Sequence, residues 1–330
     1  NTRSSLSTAP LEPNVKWRYK TGASVTSSPS VSGGLVFVGS RDDYIYALDQ
    51  YTGELKWRYK TGDGVFSSPS VSGGLVFVGS YDDYIYALDQ YTGTLKWKYK
   101  TGYDVFSSPS VSGGLVFVGS VDNYIYALDQ YSGELKWKYK TGDDVFSSPS
   151  VSGGLVFVGS DDDYIYALDQ YTGELKWRYK TGDDVYSSPS VSGGLVFVGS
   201  YNNYIYALDQ YTGELKWWYK TGASVYSSPS VSGGLVFVGS KDDYIYALDQ
   251  YTGELKWRYK TGDGVYSSPS VSGGLVFVGS KDDYIYALDQ YTGELKWRYK
   301  TRRGVWSSPS VSGGLVFVGS NDNYIYAFGD

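Results

Sequence analysis

A chain of 330 residues, 41% hydrophobic and 19% charged, has enough apolar material for one large fold. It contains no Cys and no His, which excludes disulfide frameworks, thiol nucleophiles, Cys/His zinc sites and imidazole general bases. The net charge of −6 argues against a nucleic-acid partner, and the longest apolar run, Leu35 to Val38 and its copies, is far too short for membrane insertion.

Residues 1 to 14 (NTRSSLSTAPLEPN) are polar, rich in Ser and Pro, and read as a flexible lead outside the fold. They lack the apolar stretch of an intact signal peptide. From Val15 onward the text repeats. Trp17, Trp57, Trp97, Trp137, Trp177, Trp217, Trp257 and Trp297 recur every 40 residues, a period that marks a propeller, solenoid or array. In one copy, Val25 to Ser32, Gly34 to Ser40, Tyr44 to Asp49 and Leu55 to Lys60 are short runs rich in Val, Tyr, Phe and Trp, and each predicts a strand. The separators Ser32-Gly33-Gly34, Asp42-Asp43 and Thr52-Gly53 carry turn chemistry. No window has helical periodicity. The expected fold is all-β, with four antiparallel strands (A to D) per copy, as in a propeller blade.

Pro29 lies inside strand A, and a missing N–H is tolerated at a sheet edge, so A is placed innermost beside a central channel and D outermost. The A, B and C patterns occur eight times, but the chain stops at Asp330, after a C pattern. The missing D strand is Val15 to Lys20. Its pairing with Tyr324 to Phe328 would close residues 15–330 into one eight-bladed β-propeller whose two ends share a blade.

The segment from Ala47, ALDQYTGELKW, fits A-x-D-x-x-T-G-x-x-x-W and is preceded by Val36 to Asp42, a V-x-V-G-S-x-D stretch. This resembles the tryptophan-docking motif of PQQ-like (quinoprotein-type) β-propellers. The resemblance implies that each Trp stacks on the Ala of its own motif and on a Gly of the next, with its indole N–H bonded to a carbonyl there. Trp57 would then meet Ala47 and the Gly93 region. A buried Trp needs such a partner on physical grounds as well. Asp49, Thr52 and Gly53 read as turn structure, which specifies fold rather than activity. Quinoprotein dehydrogenases of this family hold PQQ and calcium with inserted loops, an acidic catalytic residue and, in many, adjacent cysteines. The chain has neither cysteine nor insertion, so a protein without enzymatic activity or quinone cofactor is expected.

The copies differ mainly at positions 23, 24 and 26 and at positions 41 to 43. The first group lies in the D-to-A connection and the second in the B-to-C turn, and alternating strand direction brings both to one face of the disc. That face carries 20 acidic residues against Arg41, Lys241, Lys281, Arg302 and Arg303, so it is expected to be acidic, above a basic rim of Lys56, Arg58, Lys60 and their copies. At position 26 stand Thr26 and seven aromatic residues: Phe66, Phe106, Phe146, Tyr186, Tyr226, Tyr266 and Trp306. Either they pack between blades or they ring the channel mouth as a binding surface. With Asp42, Asp82, Asp162, Asp242 and Asp282 in the turns above, they would suit a glycan or a cationic peptide. The run Asp161-Asp162-Asp163 is a calcium-type carboxylate cluster that ordinary turn formation explains equally well. The expected protein is thus a monomeric ligand- or protein-binding scaffold, extracytoplasmic or secreted by resemblance. The alternative is an engineered or recently amplified repeat scaffold with no evolved ligand, and a third reading is a quinoprotein-type oxidoreductase.

Overall fold

The computed structural model describes residues 9–330 and forms eight four-stranded antiparallel sheets. No helix among the described residues is long and apolar enough to cross a membrane. Blade 1 comprises A Ser30–Ser32, B Leu35–Gly39, C Tyr44–Asp49 and D Leu55–Lys60, and later blades follow at intervals of 40 residues. The predicted closure is present: Asn14–Lys20 pairs antiparallel with Tyr324–Gly329, bringing Trp17 opposite Ala327 and Tyr19 opposite Ile325.

Period-2 alternation divides each C strand between two neighbours. Ile45 and Ala47 join Phe37 and Trp57 on one face, where they meet Val76, Val78, Tyr86 and Leu88 of blade 2. Tyr46 and Leu48 serve the opposite face, against Trp17 and Phe317. The fold therefore has eight interblade cores rather than one centre, and B strands enclosed on both faces read as continuous apolar runs.

Tryptophan docking follows the expected geometry. Trp57 pairs with Ala47 and donates its indole N–H to the Gln90 carbonyl at 3.0 Å. Gly93 must be glycine twice over: its φ is +69°, and a Cβ would lie 2.6 Å from the Trp57 ring.

Two expectations need correction. Strand A is three residues long, not eight, because residues 25–28 leave the ladder: Val25 and Ser28 bond to adjacent blades, and Ser27 reaches strand B of its own blade through its side chain. Val25 N–H donates to the Ser320 carbonyl, while Ser27 Oγ accepts the Gly39 N–H. Ser28 N–H donates to Ser68 Oγ at 2.9 Å, and the same bond repeats from blade to blade until Ser308 donates to Ser28. The second correction concerns the lead, of which residues 1–8 lie outside the described residues. Ala9 and Pro10 are buried, and the Pro10 carbonyl accepts the Trp297 indole N–H at 3.1 Å. Pro10 stands 40 residues before Gln50 and supplies the carbonyl that Gln supplies to the other seven tryptophans.

Candidate functional site

At the channel mouth the seven aromatic side chains of position 26, with Thr26 and Lys241, line a cavity of about 670 Å³. Each ring leans on the next. Centroids are 5.5 Å apart for Phe66 and Phe106, 5.0 Å for Phe106 and Phe146, and 5.1 Å for both Phe146–Tyr186 and Tyr186–Tyr226. The belt continues through Tyr266 to Trp306 and is interrupted at Thr26. Packing and lining thus coexist: the edges and inner faces left by ring-to-ring contact form an apolar cup.

The side chain at position 41 supplies a second tier. Tyr81 stacks on Phe66 at 4.0 Å and leans on Phe106, while Tyr201 contacts Tyr186 and Tyr226. Lys241 Nζ donates to the Tyr201 hydroxyl at 2.9 Å and lies 4.2 Å from the ring centres of Tyr201 and Tyr226. Arg41 covers Phe66 at 4.4 Å. These internal cations already occupy aromatic faces that a cationic ligand would use. Sequence reasoning assigned position 41 to an acidic turn. The variability of positions 41 to 43 was read, but position 41, which runs from Arg and Lys through Tyr and Val to Asp and Asn, was not separated from its restricted neighbours 42 and 43.

The turn acids have other work. Asp42 accepts from the Gly22 and Tyr44 backbone N–H groups and from the Tyr46 hydroxyl, fastening the D-to-A connection to the B-to-C turn. Asp82, Asp162, Asp242 and Asp282 repeat these bonds. Their carboxylates are engaged in holding the loops together. Position 43 is confined to Asp and Asn because its φ lies between 69° and 75° in every blade, a left-handed conformation that short polar side chains tolerate. The rim lysines are engaged too, with Lys56 Nζ 2.7 Å from Glu54 and 3.6 Å from Asp49.

One carboxylate in the mouth stands apart. Burial pushes Asp161 up to about 7, opposed by the Tyr186 hydroxyl and reinforced by Asp184, Asp144 and Asp143. A carboxyl with a folded pKa above its unfolded value adds stability below that unfolded value, and the gain is lost as pH rises through the folded pKa. Asp161→Asn escapes this loss. Its melting temperature should rise above the parent's progressively between about pH 4 and pH 7, with a constant gap at higher pH. Thermal melts across this range provide the check; a gap independent of pH would remove Asp161 ionisation from the account.

A family model described as the β-propeller of beta-alanine-activating enzyme matches residues 8–192, more than half of the chain. The chain belongs to the PQQ-like β-propeller repeat family. A second model, described as outer membrane protein assembly factor BamB, matches residues 180–268 and 260–329 of this propeller. Among solved structures, it is similar to BamB from Moraxella catarrhalis at 20% identity and TM-score 0.83, covering 97% of this chain and 100% of that one. It is also similar to the computationally designed Ika8 protein at 18% identity and TM-score 0.84, covering 99% and 100%. A europium-containing methanol dehydrogenase matches at 17% identity and TM-score 0.80, covering 96% and 93%. At these identities the likeness concerns the fold alone. No curated protein matches the sequence significantly.

Proposed function

We infer that this propeller is a binding scaffold without enzymatic activity, and that its ligand sits in the aromatic cup at the mouth of the channel. The observation that carries the reading is the gathering of seven position-26 rings and Lys241 around one cavity of about 670 Å³, with the position-41 rings of Tyr81 and Tyr201 packed against them. Variation between copies gathers where substitution alters the lining and leaves the interblade cores unchanged. A role as a monomeric protein-binding platform outside the cytoplasm is in keeping with the BamB model match.

Quinone chemistry finds no matching donor set. The chain has no cysteine, and the carboxylates that approach one another, Asp163, Asp183 and Asp184, include Asp163 beside Lys180 at 3.7 Å. These residues do not fit the quinone and calcium arrangement implied by the family, and we assign no reaction to the mouth. The near identity of the copies favours a second reading, an amplified or engineered scaffold with no ligand of its own.

The test is titration calorimetry of hits from a glycan array and a peptide panel, comparing the parent with the Phe106→Ala/Phe146→Ala double variant. Binding that falls at least about tenfold in a folded variant supports the cup. Unchanged binding moves the site elsewhere, and the absence of hits in both panels leaves the ligand-free scaffold as the reading.

A further inference from the structure

The mouth is divided by charge in a way that its total conceals. In a closed ring of eight, blade 4 lies opposite blade 8 and blade 5 opposite blade 1. Blades 4 and 5 contribute Asp143, Asp144, Asp161, Asp163, Asp183 and Asp184, whereas Arg302 and Arg303 of blade 8 lie close to Arg41 of blade 1 and Lys281 of blade 7. The basic residues line a groove of about 530 Å³, with Asp283, Asn321 and Trp306 among its walls. Trp306 also lines the aromatic cup, so groove and cup share a wall. Among the described residues none of these four cations lies in an ion pair.

The basic pole occupies a position the loop otherwise reserves for glycine. At Gly22, Gly62, Gly102, Gly142, Gly222 and Gly262 an added Cβ would come within about 3.0 Å of the turn carboxylate. The eighth blade nevertheless carries Arg302, and its N–H to Asp322 bond lengthens to 3.1 Å from 2.6 Å at Gly262. Among the described residues three buried side-chain oxygens have no hydrogen-bond partner, and all belong to the mouth: Thr26 Oγ1, Asn321 Oδ1 and Asp161 Oδ1. Buried polar atoms ordinarily find partners, so unmatched ones at both poles mark places where a ligand can supply them.

We propose that the mouth binds an extended amphoteric peptide segment across its diameter, with acidic side chains over Arg41, Lys281, Arg302 and Arg303, an aromatic or bulky apolar side chain in the cup, and basic side chains toward Asp144, Asp161 and Asp184. The inference rests on the cup being the ligand seat. Opposite poles give specificity by attracting each end and repelling a reversed charge pattern. A uniformly cationic peptide gains one pole and is repelled by the other.

Four capped synthetic peptides with a central Phe test the proposal: one with two Glu at one end and two Lys at the other, one all-Glu, one all-Lys, and one with Ser throughout. Fluorescence anisotropy should rank the mixed peptide at least about tenfold tighter than the rest, with the advantage shrinking in high salt. Two pole variants borrow residues that other copies carry at the same positions, which protects folding: Arg302→Gly/Arg303→Asp, and Asp143→Ala/Asp144→Ser. Each should erase most of the mixed peptide's advantage. Equal affinity for all four peptides, no peptide binding, or pole variants without effect overturns the charge inference. Phe106→Ala separates the two readings. If it weakens all four peptides while the pole variants change nothing, the cup stands and the dipole falls; if it weakens none, the cup itself is the wrong seat.

Discussion

Trp137→Ala should cost about 3 to 5 kcal/mol of unfolding free energy, the usual range for truncating a large buried aromatic side chain. The indole fills the space between blades 3 and 4. It packs 5.8 Å from Phe117, faces Gly173 and donates to the Gln170 carbonyl at 3.0 Å, so substitution leaves both a cavity and an unpaired carbonyl. Tyr103→Ala is the matched control. Tyr103 is 64% exposed in the variable loop, and its loss should change stability by no more than about 0.5 kcal/mol. Denaturant unfolding of the two variants supplies the comparison, and the reverse ranking would overturn the assignment of core and variable face.

Deleting residues 1–20 should have a still larger effect, converting a closed ring into an open one. The deletion removes the strand paired with Tyr324–Gly329, the Trp17 ring packed against Gly53, and the Pro10 carbonyl that receives the Trp297 indole. The C strand of the last blade then becomes an unpaired edge, a template for another chain. Size-exclusion chromatography with light scattering should detect aggregates or exchanged oligomers. A monomer with the parent's melting temperature would contradict the closure. Deleting residues 1–13 alone spares the strand and removes the docked segment of Ala9, Pro10 and Leu11, for which a smaller loss of stability is expected.

Blade number, strand order and closure were legible because a 40-residue repeat shows every feature many times and makes its one missing piece conspicuous. Trp docking was legible for a related reason: an Ala, a Gly and a Trp at fixed separations leave few ways to bury an indole. What escaped reading depends on convergence across blades. Nothing in the sequence near Tyr81 says that its ring enters between Phe66 and Phe106, because those contacts arise only when eight loops meet near one axis. Ser28 and Ser68 look like ordinary polar residues until the channel brings one N–H to the other's hydroxyl. Charge counting has a similar limit, since a sum over the face has no angular coordinate and does not show Arg41, Lys281, Arg302 and Arg303 meeting in one groove. Pro10 escaped because it preserves the position of Gln50 without its chemistry, and a backbone carbonyl leaves no mark on residue type.

The serine circuit also separates the topology of the molecule from that of its covalent chain. Its eight bonds all run in one sense, and Ser308 hands on to Ser28 as Ser28 does to Ser68. The circuit has a direction of travel but no origin, whereas the strands of one blade, Asn14–Lys20 and Tyr324–Gly329, stand far apart in the sequence. A circular permutant opened at the C-to-D turn of another blade should therefore keep all eight bonds of the circuit.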